Sequence, residues 1–288
     1  MADPNAATLD AGWSRTPRRL THDLVGHPAL QAQALARVAQ RLPAERIESH
    51  FADLPLVHPT GAVRRISQPA NEVVRDLATR TAWVMLAGLW EVPPYDGLAE
   101  DTIGLWIGAS ADAEGGLRAR HTTVFAASAG AVVPVHFDVQ HNVLLQITGT
   151  KRVFLGGSSP GGSLERVLEA GMASGIHNLD ELPPEVREYE LSSGDGLYIP
   201  AYVPHWIVGG AEVSISLSCA WQTAWTLRES RIRQVNARLR RVGLRPSPPG
   251  LHPGRDRTKD AAAQLYLKSR RAPRRLHTAL SGGERSHD

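Results

Sequence analysis

At 288 residues, with 42% hydrophobic and 21% charged, the chain is long enough for one large domain with appendages or two modest ones, and its composition excludes wholesale disorder. No uninterrupted apolar stretch reaches membrane-spanning length, and the opening residues hold no apolar core of the kind a secretory signal needs. The net charge of +3 hides an asymmetry: from Leu227 onward 16 Lys/Arg stand against 5 Asp/Glu, or +11, whereas the preceding 226 residues carry 16 against 24, or −8.

Residues 1–22 read as a mobile leader. After His27-Pro28, the Ala-, Leu- and Gln-rich stretch 29–42 predicts a helix that Pro43 stops. A second helix is expected from about Asn71 to Trp90, ended by Pro93-Pro94, with short strands at Leu56–His58 and Ala62–Ile66. Residues 23–118 thus read as a mixed α/β part that buttresses the strand-rich region C-terminal to it.

From about Thr122 the texture turns to strands: VVPVHF, NVLLQI and KRVFL. A Gly/Ser/Pro-rich loop and a short helix (SLERVLEAGMA) come next, and strands return in REYEL, GLYIP, HWIV and EVSISLSCAW. Turn residues at Thr148-Gly149, Gly194-Asp195-Gly196 and Gly209-Gly210 separate them. Short strands at close spacing predict a mainly β fold with flanking helices, a jelly roll at residues 119–221. Beyond Trp221 the pattern is helical again, with Ile232, Val235, Leu239 and Val242 on one face. Residues 222–288 read as a basic helical region with a second short helix near 258–270. The lone Cys219 permits no internal disulfide and fits a reducing, cytoplasmic setting.

The chemistry concentrates in Val132–Asp138. On a strand, residues two apart face one side, so His136 and Asp138 can grip one ion together. The later segment GDGLYIPAYVPHW offers His205 as a third ligand. Two imidazoles and a carboxylate on one face of a metal leave positions open, as non-haem Fe(II) oxygenases require. With 12 histidines in the chain, that spacing alone is weak.

The surroundings sharpen it. The run HFDVQHNVLLQITGTKRVFL followed by GDGLYIPAYVPHW resembles the JmjC-type, cupin-like 2-oxoglutarate oxygenases, notably the asparaginyl-hydroxylase-like branch, over about residues 119–221. The resemblance implies a double-stranded β-helix with C-terminal helices, Fe(II) held by His136, Asp138 and His205, and 2-oxoglutarate as cosubstrate. It implies that Lys151 holds the distal carboxylate, that Asn142 lines the cosubstrate pocket, and that Ser218 lies near the iron if the Ser214/Ser216/Ser218 face is inward. Many relatives carry Thr or Ser where this chain has Val133; Tyr198, Thr148 or a residue upstream is expected to supply the missing hydroxyl, or else the cosubstrate sits differently. His141, of opposite parity, reads as a packing or surface residue.

The expected reaction is hydroxylation of a C–H bond, on a protein or peptide side chain or, alternatively, on a small metabolite. A cupin enzyme of another chemistry would carry His-x-His followed closely by Glu, which is absent here. A silent JmjC-like binding module is a third reading, and the intact triad argues against it. Some JmjC hydroxylases dimerise through C-terminal helices, so a homodimer is expected. The basic tail is expected to fold back, pack in that dimer or meet an acidic partner such as nucleic acid or the ribosome. No membrane contact is expected.

Overall fold

The computed structural model describes residues 13–58, 64–157 and 163–280. Two sheets and six α-helices make up the described chain, divided between two compact units: residues 1–159 with 176–227, and residues 160–175 with 228–288.

The first unit is built on a sheet of seven antiparallel strands. In spatial order these are β1 (Arg18–Thr21), β9 (Asp195–Ile199), β6 (His141–Thr148), β11 (Ser214–Thr223), β4 (Leu117–Ala127), β3 (Ala82–Leu86) and β2 (Ile47–Phe51). A smaller sheet has the order β5 (Val132–Phe137), β10 (Pro204–Gly209), β7 (Lys151–Gly156) and β8 (Val186–Leu191). The connections give the expected cupin-like jelly roll.

Alternation divides the large sheet's two faces. Val143, Leu145, Ile147, Leu217, Cys219 and Trp221 join a core with the helices α1 (Ala32–Ala39), α2 (Ala70–Arg75) and α3 (Tyr95–Ala113). Their neighbours Leu144, Leu197 and Ile199 meet Val153, Leu155 and Val203 inside the barrel. The serine stripe faces inward: Ser216 donates to Gln146 Oε1 (2.7 Å) and Ser218 to Asn142 Oδ1 (2.8 Å). Cys219 is buried, and burial pushes its thiol up to about 12.

Several elements differ from expectation. The helix expected over 71–90 breaks after α2, and Ala82–Leu86 form a strand, because Ala82, Val84 and Leu86 alternate into the core while Trp83 and Met85 turn away. The 19-residue α3 follows Pro93-Pro94, where the sequence suggested only an ending. Arg18–Thr21 are not a loose leader: they pair with β9, and Leu20 is buried. Leu56–His58 form no strand, although the Leu56 carbonyl accepts from Val135 N at 2.8 Å along the edge of β5. Residues 1–12, and Ala62 and Val63 of the other expected strand, lie outside the described residues.

The second unit joins α4 (Ser163–Ser174), the greater part of α5 (Ala224–Arg241) and α6 (Pro253–Leu280). Buried charge binds these helices: Arg233 reaches Glu165 and Glu229, each at 2.9 Å, and Arg231 reaches Asp260 at 2.5 Å. Glu169 takes Arg240 and, at 2.8 Å, the amide of Asn236. No described helix is long and apolar enough to cross a membrane.

Candidate metal centre

β5 and β10 are neighbours in register, with His136 directly opposite His205. Their rings lie 4.2 Å apart between centroids. Between the pairs His205–His136 and Ile207–Val133 the register shifts by one, which puts an extra residue on β5 just before His136, an irregularity of the kind that re-aims a side chain. Asp138 comes directly after β5, and its Oδ1 and Oδ2 stand 3.9 Å from His136 Nε2 and 3.7 Å from His205 Nε2. One ligand atom from each of the three residues lies within 4.8 Å of the others.

The tautomers suit a metal. His136 Nδ1 donates to the Pro134 carbonyl and His205 Nδ1 to the Val203 carbonyl, both at 2.9 Å. Each Nε2 therefore turns a lone pair towards Asp138, with the ring held by the bond its other nitrogen makes. Burial, reinforced by His136 and opposed by Asp138, lowers His205 to about 4, which favours its neutral form at pH 7.

Backbone bonds fix the position of Asp138. The turn 200–203 carries Tyr202 at φ 68°, the sole non-glycine residue at positive φ among those described. Its N–H donates to the Asp138 carbonyl at 2.7 Å, and its hydroxyl donates to the Thr226 carbonyl at 2.6 Å. A residue of this kind costs about 1–3 kcal/mol in backbone strain and persists where its surroundings impose it. Neither Tyr202 nor His177 stood out in the sequence. His177, in the segment after α4, stacks on Phe137 at 4.7 Å, and its carbonyl accepts from Phe137 N. Burial lowers its pKa, Asp138 opposes the shift and His136 adds to it, and the next residue, Asn178, bridges to His136.

Lys151 opens β7, where Gly149 at φ 72° turns the chain; a Cβ on that glycine would meet the Val213 carbonyl at 2.4 Å. Lys151, Val153 and Leu155 share the inward face, and Leu155 is paired with His205. Lys151 thus lies about 13 Å along the strand from the level of His205. The residue is 7% exposed, and no acidic partner stands beside it among the described residues. Burial lowers its pKa to about 8.

Asn142 and Ser218 share the barrel interior, hydrogen-bonded to one another. Tyr198 does not join them. Its neighbours Leu197 and Ile199 point inward, so Tyr198 points outward, against Trp106 and Trp221. There its hydroxyl lies 2.8 Å from both the Ser14 carbonyl and His141 Nδ1. His141 is fully buried on that outer face and donates through Nε2 to Glu114 at 2.9 Å, a packing residue as its parity suggested.

Residues 117–229 match the family model of the JmjC domain. Among curated proteins, tRNA wybutosine-synthesizing protein 5 of Mus musculus is 32% identical over 104 residues, covering 33% of this chain and 32% of that protein. Among solved structures, the Escherichia coli ribosomal oxygenase YcfD in complex with cobalt and 2-oxoglutarate aligns at 16% identity and a TM-score of 0.47. That alignment covers 88% of this chain and 64% of YcfD. YcfD with cobalt and succinic acid aligns over the same shares at 18% identity and a TM-score of 0.46. The chain therefore spans about a third of that curated relative and somewhat under two thirds of YcfD.

Proposed function

We propose that the JmjC domain at residues 117–229 makes this protein a Fe(II)- and 2-oxoglutarate-dependent oxygenase that hydroxylates a C–H bond. One observation carries the reading: two imidazoles and a carboxylate present ligand atoms within 4.8 Å, while a buried lysine without an acid waits on the same inner face. His136, Asp138 and His205 hold the metal, and three ligands on one side leave the rest for cosubstrate and dioxygen. When bound, the iron and its cosubstrate supply the oxidation, in which 2-oxoglutarate and O2 become succinate and CO2 and one oxygen atom enters the substrate.

The chain's own residues bind and orient. Lys151 donates a charge-assisted hydrogen bond to the distal carboxylate, which gives its ammonium the partner that burial demands. Asn142, held by Ser218, presents its amide to the pocket. Leu144, Leu155 and Val203 keep water from the inner wall. Val133 offers no hydroxyl and Tyr198 points the other way, which leaves Thr148, a residue upstream, or a cosubstrate seated differently.

The substrate is proposed to be a protein or peptide side chain, in keeping with YcfD, a ribosomal oxygenase. The alternatives are a small metabolite acted on by the same chemistry, and a JmjC-like module that binds without turnover. Anaerobic titration of the Fe(II)-loaded protein with 2-oxoglutarate tests the cofactor reading. A visible charge-transfer band is expected, and it should be lost in His136→Ala. Bound iron with no band would favour the silent module.

A further inference from the structure

The basic surplus of residues 160–175 and 228–288 is not spread evenly. The cations that pack between the helices of this unit are already matched: Arg233 by Glu165 and Glu229, Arg240 by Glu169, Arg231 by Asp260, and Lys259 by Asp256. A groove of about 490 Å³ between α5 and α6 gathers cations of a different kind. Arg228 stands on one wall and Arg257 and Lys268 on the other, and none of the three makes a hydrogen bond or ion pair among the described residues. The groove's one carboxylate, Asp260, is consumed, with Oδ1 on Arg231 and Oδ2 on Gln264 at 2.9 Å.

The groove runs straight. Arg257, Ala261, Leu265 and Lys268 recur at helical spacing on one face of α6, a run of about 16 Å. Leu265, 71% exposed, is among the groove's lining residues. Beside it Tyr266 is 44% exposed, with the Arg238 guanidinium 4.8 Å from its ring. Cations on both sides of the groove, with the apolar Leu265 in it and the aromatic Tyr266 next to it, suit a flexible polyanion that carries flat apolar groups. An acidic amphipathic helix would need a longer apolar floor than Ala261 and Leu265 supply. RNA is the polyanion that exposes single strands in quantity.

We propose that the α5–α6 groove binds single-stranded RNA, with Arg228, Arg257 and Lys268 on the phosphates and Leu265 and Tyr266 against the bases. The site goes beyond the oxygenase reading and needs neither iron nor 2-oxoglutarate.

The test is fluorescence anisotropy of the full chain with a labelled single-stranded RNA of mixed sequence, between 50 and 200 mM salt. One variant is Arg228→Gln/Arg257→Gln/Lys268→Gln. A second, Arg241→Gln/Arg245→Gln/Arg255→Gln, removes the same charge at exposed positions outside the groove. With about 0.7 counterions released per single-strand phosphate, three contacts account for a salt slope of about 2. That slope corresponds to about a twentyfold fall in affinity over this range. The groove variant is expected to lose that part of the slope while its circular-dichroism melt stays unchanged, and the second variant is expected to keep it. Equal losses in the two variants, salt-independent binding, or an affinity for polyglutamate or duplex DNA above that for RNA would overturn the proposal.

Discussion

A lysine residue that is 7% exposed and has no acid beside it is costly to bury, and burial accordingly lowers its pKa to about 8. Because the folded pKa lies below the ordinary 10.5, the unfolded chain binds more protons between about pH 8 and 10.5, and stability rises with pH across that window. The proposed cosubstrate needs the protonated form. Its affinity is therefore expected to fall about tenfold per pH unit above pH 8, measured as the Kd from the anaerobic iron titration at pH 7–9.5. Lys151→Ala is expected to weaken 2-oxoglutarate binding by about 3–5 kcal/mol, the scale of removing one partner from a buried charge pair. An unchanged Kd in that variant would refute the role. At this scale the sequence was most legible where chemistry is local: His136 and Asp138 two residues apart on a strand, and His205 in a distinctive turn. Tyr198 was misread because both faces of β9 are buried, so the GLYI pattern carries no polar alternation to set its direction. His177 left no local signal, since only the tertiary path of its segment brings it to Phe137.

Among the elements, the large sheet's outer face hides a polar cluster that joins α3, β6, β9 and β11. Glu114 receives His141 Nε2 at 2.9 Å and the Thr223 hydroxyl at 2.6 Å. Desolvation raises its pKa, but the hydrogen bond and charge of His141, with the Thr223 and Ser14 hydroxyls, outweigh it and leave the carboxyl below its ordinary value. A lowered folded pKa contributes stability above the ordinary carboxylate range and loses it as pH falls through the folded value. Glu114→Gln is expected to cost about 1–3 kcal/mol in urea unfolding at pH 7 and to flatten the acid limb of the stability curve. In the second unit, Arg233→Met leaves Glu165 and Glu229 buried together. A loss of about 3–5 kcal/mol is expected in the same assay. The short helix α4 was readable from SLERVLEAGMA and α5 from the Ile232, Val235 and Leu239 part of its stripe, because periodicity reports an amphipathic face directly, whereas Val242 lies beyond α5 and is exposed. β3 was not readable, since AWVML has no polar alternation and comes after a genuine helix start.

For the whole chain, the β-rich texture after Thr122 made the jelly roll legible, whereas the recruitment of β1, β2 and β3 into the same sheet rests on pairings far apart in sequence. Charge distribution was legible as a total, but its division into matched pairs and a cationic groove required the folded helices. The proposed homodimer is checked by light scattering: a mass near twice 31.2 kDa at micromolar concentration is expected, and a monomer would remove the idea. The order of the seven strands also sets a schedule. β11 lies between β4 and β6, and β9 lies between β1 and β6, although both are among the last strands of the barrel to be made. Until about residue 223 has left the ribosome, β4 and β6 each lack their shared neighbour, and the first strand waits some 175 residues for its own. Closure of the barrel is thus a late event in synthesis, and nascent chains halted before β11 should stay protease-sensitive and prone to pair with one another through those waiting edges.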